Sequence, residues 1–181
     1  HYTPEKPSSV CQFTDRAVIL SGMSKMASMT GWRLGWACGP HDIIEKTTIM
    51  HQYTSTCASA LAQRAALKIF TESGRESVEH QRKTLEKNCD WICSWIDREL
   101  GQFYVRPQGA FYLMLSIHDL KKNSLSTSLE LLKERVATIP GAAFGSQGEG
   151  FLRLSFASCR DTLAEGLERL KKGFKRLSNA S

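Results

Sequence analysis

The chain has 181 residues, 41% of them hydrophobic and 23% charged, with 24 Lys and Arg against 18 Asp and Glu for a formal net charge of +6. That composition is ordinary globular material and excludes a disordered tail; the length suits one domain, or one and a half small ones. No run approaches the ~18 apolar residues of a membrane span, so no membrane partner is expected.

The N-terminus, "HYTPEKPSSV", has neither an initiator methionine nor a signal-peptide pattern, and the chain reads as an engineered fragment, a processed product or a piece of something longer. Without a secretion signal, reduced thiols and a cytoplasmic setting are expected. The six cysteines (Cys11, Cys38, Cys57, Cys89, Cys93, Cys159) contain no C-x-x-C pair and no Cys/His ligand block, so no metal is expected. Cys89 and Cys93, four apart, read as core thiols on one helix face. The basic residues are dispersed, with a local excess only in "RLKKGFKRL" (Arg169 to Leu177). That run reads as a solvated helix face, and no nucleic-acid motif accompanies it.

After the Pro/Ser-rich lead-in, "AVILS" (Ala17 to Ser21) is a short apolar run of buried-strand type. "RLGWACG" (Arg33 to Gly39) reads as a second strand, with a glycine where something approaches closely. A helix is expected from His41 to about Met50, an interruption at "QYTST", and helix again from about Ala58 to Phe70. A long helix spans about Arg75 to Leu100, with Leu85, Cys89, Ile92, Cys93 and Ile96 as its apolar stripe and Trp91 and Trp95 covering a second face. "QFYVR" and "AFYLMLSI" read as strands, and Phe111 and Tyr112 as core residues of the latter. Leu129, Leu132 and Val136 mark a helix, and "FLRLSFA" alternates as a strand. Ser158 with Asp161 resembles a capping box opening a last helix, whose stripe is Leu163, Leu167, Leu170, Phe174 and Leu177. Mixed in this order, the elements give a layered α/β or α+β domain.

The stretch "SGMSKMASMTGWRLGW" (Ser21 to Trp36) carries the chemistry. A lysine amine that is partly desolvated or near other cations loses basicity and becomes a nucleophile toward aldehydes. Arg33, with its planar fork, suits a phosphate or carboxylate, and Ser21, Ser24 and Ser28 add hydroxyl donors. An aldehyde for Lys25 and a phosphate for its neighbours describe pyridoxal 5'-phosphate; the plain alternative is a surface lysine in a Gly/Ser loop with Arg33 paired to an acid. No P-loop, strand-bound G-x-G-x-x-G or nucleophile elbow is present. His51, His80 and His118 read as surface or structural histidines.

The same stretch, followed by "ACGP", resembles the lysine signature of class I and II aminotransferases of the aspartate aminotransferase family, fold type I. "RPQGAFYLML" (Arg106 to Leu115) resembles the family's P-x-G-A-F-Y strand. "IPGAAFG" (Ile139 to Gly145) resembles its P-G-x-x-F-G loop, and "GFLRLSFAS" (Gly150 to Ser158) the strand bearing its carboxylate-binding arginine. The resemblance implies an α/β chain with an α+β small domain: the C-terminal part of the fold of pyridoxal-phosphate-dependent transferases. Residues 1–72 would be the lysine-bearing edge of the large domain and 73–181 the small domain. It implies that Lys25 holds pyridoxal 5'-phosphate as a Schiff base and shuttles the substrate proton. Arg33 and Ser24 would hold the cofactor phosphate, and Arg153 the substrate α-carboxylate. Relatives carry serines three and one before the lysine; here Gly22 stands at the first of these, and Ser21 offers the extra hydroxyl one residue earlier.

The implied reaction moves an amino group between an amino acid and a 2-oxo acid, in a full-length homodimer. Family members are about twice this length, and the groups that pair the cofactor ring lie upstream, so this portion is not expected to be active alone. Two alternatives remain open: a carbon–sulfur β-lyase with the same cofactor, and a non-catalytic dimerisation or effector-binding module.

Overall fold

The computed structural model describes residues 1–3, 5 and 7–179, which divide into two units: residues 5–81, and residues 82–179 together with 1–3. Pro4 and Lys6 of the lead-in lie outside the described residues.

The first unit opens on an antiparallel hairpin of β1 (Ile19–Gly22) and β2 (Gly35–Cys38), in the register Ile19↔Cys38, Leu20↔Ala37, Ser21↔Trp36 and Gly22↔Gly35. One short helical turn, α1 (Met23–Met26), follows β1 directly. "AVILS" is not a buried strand here: β1 pairs with β2 alone among the described residues, and Leu20 is 79% exposed. A strand buries both faces only when layers cover both, and the first unit's core is small, built on Met23, Met29 and Ala66.

Helix α2 runs His41–Thr54, through the first part of the expected interruption. The threonines in and before "QYTST" are absorbed because Thr47, Thr48 and Thr54 donate their hydroxyls to the carbonyls of Ile43, Ile44 and Met50 one turn back. Ser59 caps α3 (Ala60–Ala66), which tightens into a 3-10 turn over Leu67–Phe70. Helix α4 (Glu72–Glu99) then begins in the first unit and ends in the second.

In the second unit a three-stranded antiparallel sheet, ordered β3-β5-β4, joins β3 (Tyr112–Ser116), β4 (Ile139–Pro140) and β5 (Phe151–Ser155). Its period-2 pattern turns Leu113, Leu115, Leu152 and Leu154 into the core. There they meet Cys89, Ile92, Cys93 and Ile96 of α4 and Leu163, Leu167, Leu170, Phe174 and Leu177 of α6 (Arg160–Ser178). Both helical stripes read from the sequence are thus buried, apart from Leu85, which is partly covered. Burial pushes the Cys89 thiol up to about 12, as suits a core thiol, and all six cysteines are free.

Four expectations are corrected in this unit. "QFYVR" forms no strand: Phe103 and Val105 are exposed, and only Tyr104 bridges to Leu115. Tyr104 is held instead by its hydroxyl, which donates to the Asp97 carboxylate. Helix α5 (Ser124–Leu132) ends before Val136, which the expected helix included; it turns Ser124, Thr127, Ser128 and Leu131 inward and leaves Leu129 and Leu132 about half exposed. The buried hydroxyls are matched: Ser128 donates to the Thr138 carbonyl and Thr138 to Ser128 Oγ. The last helix is capped at Cys159, with no side-chain cap bond, while the Ser158 carbonyl accepts from Asn88 Nδ2 at 3.0 Å. Finally, the basic run of α6 is not simply solvated. Lys171 pairs with Glu99, Lys172 with Glu134, and Arg176 with both Glu130 and Glu134.

Candidate active site

The lysine turn is built by glycines and methionines. Gly22 and Gly35 face each other across the hairpin, and a Cβ on Gly35 would lie 2.8 Å from the Ser21 carbonyl oxygen, one on Gly22 3.0 Å from that of Leu34. Only glycine permits so close an approach of two backbones. The Met23 amide then donates to the Leu34 carbonyl, closing the end of the hairpin. Within α1, Met23 is buried in the first unit's core while Lys25 is exposed. Lys25 thus follows Gly22 by three positions and Arg33 precedes Gly35 by two, so both cations stand at the same end of the hairpin.

Between them the chain makes a compact excursion framed by two left-handed residues, Ser28 (φ 54°) and Arg33 (φ 51°). This conformation costs a non-glycine residue ~1–2 kcal/mol, so its neighbours must hold it in place. Met29 is the anchor, buried beside Met23 and Ala66. Two hydrogen bonds tie the excursion together: Arg33 Nη1 donates to the Thr30 carbonyl at 2.9 Å, and Thr30 Oγ1 donates to the Ser24 carbonyl at 3.0 Å. Among the described residues Arg33 makes no ion pair. Ser24 is half-buried beside Lys25, and Ser21 is exposed on β1. The hairpin thus gathers Ser21, Ser24, Lys25 and Arg33 within one small frame. An amine, a guanidinium and hydroxyls in that frame are the donor set that an aldehyde bearing a phosphate needs.

Arg153 belongs to the other unit. It lies on the middle strand β5, opposite Met114 on β3 and Ile139 on β4, and its side chain is half-buried on the sheet face away from the core. Its guanidinium stands 4.3 Å from the centre of the Tyr112 ring and 4.8 Å from that of Phe144. Tyr112 is therefore not a core residue of its strand; it sits two places from Arg153's cross-strand partner, on the same face. Phe111 does pack against the core.

Sequence reasoning overlooked Thr30 and Phe144. Thr30 stands inside the quoted stretch, and its hydroxyl between a lysine turn and an arginine was the available signal. Phe144 lies nine residues before Arg153, and nothing in that spacing announces contact.

These elements, a glycine-pinched lysine hairpin followed by an α+β unit with an arginine on its middle strand, occur here in the order of one family. The family model "Aminotransferase class I and II" matches residues 5–170, and the chain belongs to that family. It is 41% identical over 160 residues to a Bacillus subtilis (strain 168) protein named "Probable N-acetyl-LL-diaminopimelate aminotransferase", covering 87% of this chain and 40% of that protein. It is 35% identical over 163 residues to aromatic-amino-acid aminotransferase 2 of Thermococcus litoralis, covering 89% and 42%. The structure of an aromatic aminotransferase from Pyrococcus horikoshii OT3 superposes with a TM-score of 0.91 at 34% identity, over 97% of this chain and 48% of that one. The chain spans about 40% of the length of the curated relatives it matches. Among the described residues, no helix is long and apolar enough to cross a membrane, and no group of three or more His, Cys, Asp or Glu could hold a metal ion.

Proposed function

We propose that the chain serves as the C-terminal part of a pyridoxal-phosphate-dependent aminotransferase that exchanges an amino group between an amino acid and a 2-oxo acid. What supports this reading is the Gly22–Gly35 approach, which sets Lys25 and Arg33 at one end of a hairpin in a chain of this family. In it, residues 1–72 belong to a cofactor-binding large domain and 73–181 to a small domain. The relatives' names, an aromatic-amino-acid aminotransferase and a probable N-acetyl-LL-diaminopimelate aminotransferase, support an amino-acid substrate. The assembled enzyme is read as a cytoplasmic homodimer.

Lys25 would be the attachment point for pyridoxal 5'-phosphate, and Arg33 with Ser24 and Ser21 would hold its phosphate. When bound, that cofactor supplies an electron sink for the bond breaking at the substrate α-carbon. The protein's own residues do the rest. The Lys25 amine, exposed on its turn, takes the α-proton and returns it, which is general acid/base work. Arg33 stays in place through its bond to the Thr30 carbonyl, which would keep its remaining donors available to the phosphate. Arg153 grips the substrate α-carboxylate with its two-pronged fork.

The test is an absorbance spectrum of the chain with added pyridoxal 5'-phosphate beside Lys25→Ala, then borohydride reduction and peptide mapping. The expected result is a lysine-dependent band with the label on Lys25; equal spectra and no label at Lys25 would refute the assignment. Release of pyruvate and ammonia from cysteine-like substrates without a 2-oxo acid, measured on the full-length enzyme, would assign the lyase reaction instead.

A further inference from the structure

A half-buried arginine that serves only the fold finds a carboxylate or carbonyl for its five N–H donors. Arg153 does not. Among the described residues its side chain makes no ion pair and no hydrogen bond; its contacts are with two aromatic rings, Tyr112 at 4.3 Å and Phe144 at 4.8 Å. The rings arrive from separate elements. Tyr112 belongs to β3, while Phe144 ends the 3-10 turn Gly141–Phe144 that follows β4. Guanidinium faces are attracted to ring faces, whereas the N–H donors all point outward in the guanidinium plane.

The turn that carries Phe144 is itself held firmly. A Cβ on Gly141 would run into the Gly148 carbonyl, so the two backbones touch there. The Ala142 amide donates to Ser124 Oγ, and Ser124 in turn donates both its amide and its hydroxyl to the Glu149 carboxylate. Phe144 is nevertheless 52% exposed, and the core does not account for its ring.

We infer that Tyr112 and Phe144 are positioning residues for Arg153: the two rings hold its guanidinium so that its donors remain available, edge-on, to a planar anion such as a carboxylate. This rests on the reading of Arg153 as the carboxylate-binding residue. The rings supply orientation without competing for the donors, which an acidic neighbour would do. Loss of one ring leaves the charge and frees its direction. Cation–π pairs of this exposure are worth ~0.7–2 kcal/mol, which converts to about 3- to 30-fold weaker carboxylate binding.

The experiment uses the full 181-residue chain, labelled at arginine side-chain nitrogens, with the Arg153 Nε–Hε signal assigned by its loss in Arg153→Lys. The expected wild-type spectrum shows Arg153 Hε displaced from the free-arginine position by ring currents. The displacement should persist in Tyr112→Phe, which keeps the ring, and shrink in Tyr112→Leu and in Phe144→Leu. With propionate as the probe, the wild-type signal should shift on titration, and each leucine variant should need about 3- to 30-fold more propionate. An Arg153 signal at the free-arginine position, or leucine variants that bind like wild type, would overturn the positioning role. Propionate leaving the wild-type signal unmoved would instead count against Arg153 as a carboxylate site, and the positioning role would fall with it. Having two independent leucine variants guards against one that folds poorly, which the amide spectrum would reveal.

Discussion

Replacing Gly35 by alanine tests whether the lysine hairpin is built as described. The new methyl would sit 2.8 Å from the Ser21 carbonyl oxygen, against ordinary carbon–oxygen contact near 3.4 Å, and both groups are backbone. Neither can swing aside, so the strands must part by about half an ångström. Forcing extra volume into a tight contact costs ~1–3 kcal/mol. Alanine recovers ~0.5–1 kcal/mol of the chain entropy that glycine loses in a strand. The net loss is then ~0.5–2 kcal/mol, or roughly 2- to 30-fold in the equilibrium for opening the hairpin. The reporter is the Met23 amide, whose bond to the Leu34 carbonyl at 3.0 Å closes the hairpin end. In amide hydrogen exchange it should exchange faster by that factor in Gly35→Ala. Gly31→Ala is the control, because a Cβ there meets nothing within 4 Å. Unchanged Met23 exchange in Gly35→Ala, or equal acceleration in Gly31→Ala, would show that the Gly22–Gly35 approach does not hold Lys25 and Arg33 together.

Two glycines of α6 should respond to alanine in opposite directions. At Gly166 a Cβ meets open space, so Gly166→Ala should raise the urea midpoint, by ~0.5–1 kcal/mol of stability. At Gly173 it would lie 2.5 Å from Cδ2 of the buried Leu131, so Gly173→Ala should lower stability by ~1–2 kcal/mol; the reverse order would sink the packing of α6 on α5. Acid should destabilise the second unit through its paired carboxyls. Hydrogen bonds from Lys133 and Arg176 hold Glu130 down at about 2, and Glu99 and Glu134 are lowered by Lys171 and Lys172. Since these folded values lie below the unfolded ones, their contribution is complete above about pH 4.5 and fades as pH falls toward 2. Thermal melts from pH 7 to pH 2 should show that decline, shallower in Glu130→Gln; a melting temperature that rises on acidification would contradict it.

The parts of the fold legible in the sequence were those in which one periodic stripe had one possible destination. The apolar stripes of α4 and α6 have residues to bury at helical spacing over many turns, and only a shared core can take them. The alternation in "FLRLSFA" worked in the same way over a shorter span. Where a segment was short, the same residue types gave no answer. Leu20 reads as buried and is exposed, because burial of a strand face depends on the layer laid over it. Leu129, Leu132 and Val136 mark one helix in the sequence, yet α5 stops at Leu132 and turns its hydroxyls inward, because Thr138 and Asn123 stand ready to pair them. The site divides similarly. Ser24, Lys25 and Arg33 lie close enough in sequence for one hairpin to gather them, whereas Phe144 reaches Arg153 only because a backbone contact between Gly141 and Gly148 turns the chain back.

By itself, the sequence determined the family, the two core helices, the strand at Arg153 and the residue types that meet at the lysine turn. These follow from local periodicity and from chemistry carried by single side chains. Only the tertiary structure decided which faces are covered, which cations are neutralised and which rings flank Arg153. Those outcomes depend on contacts between segments distant in the chain, where each partner's identity is written plainly and their meeting is not.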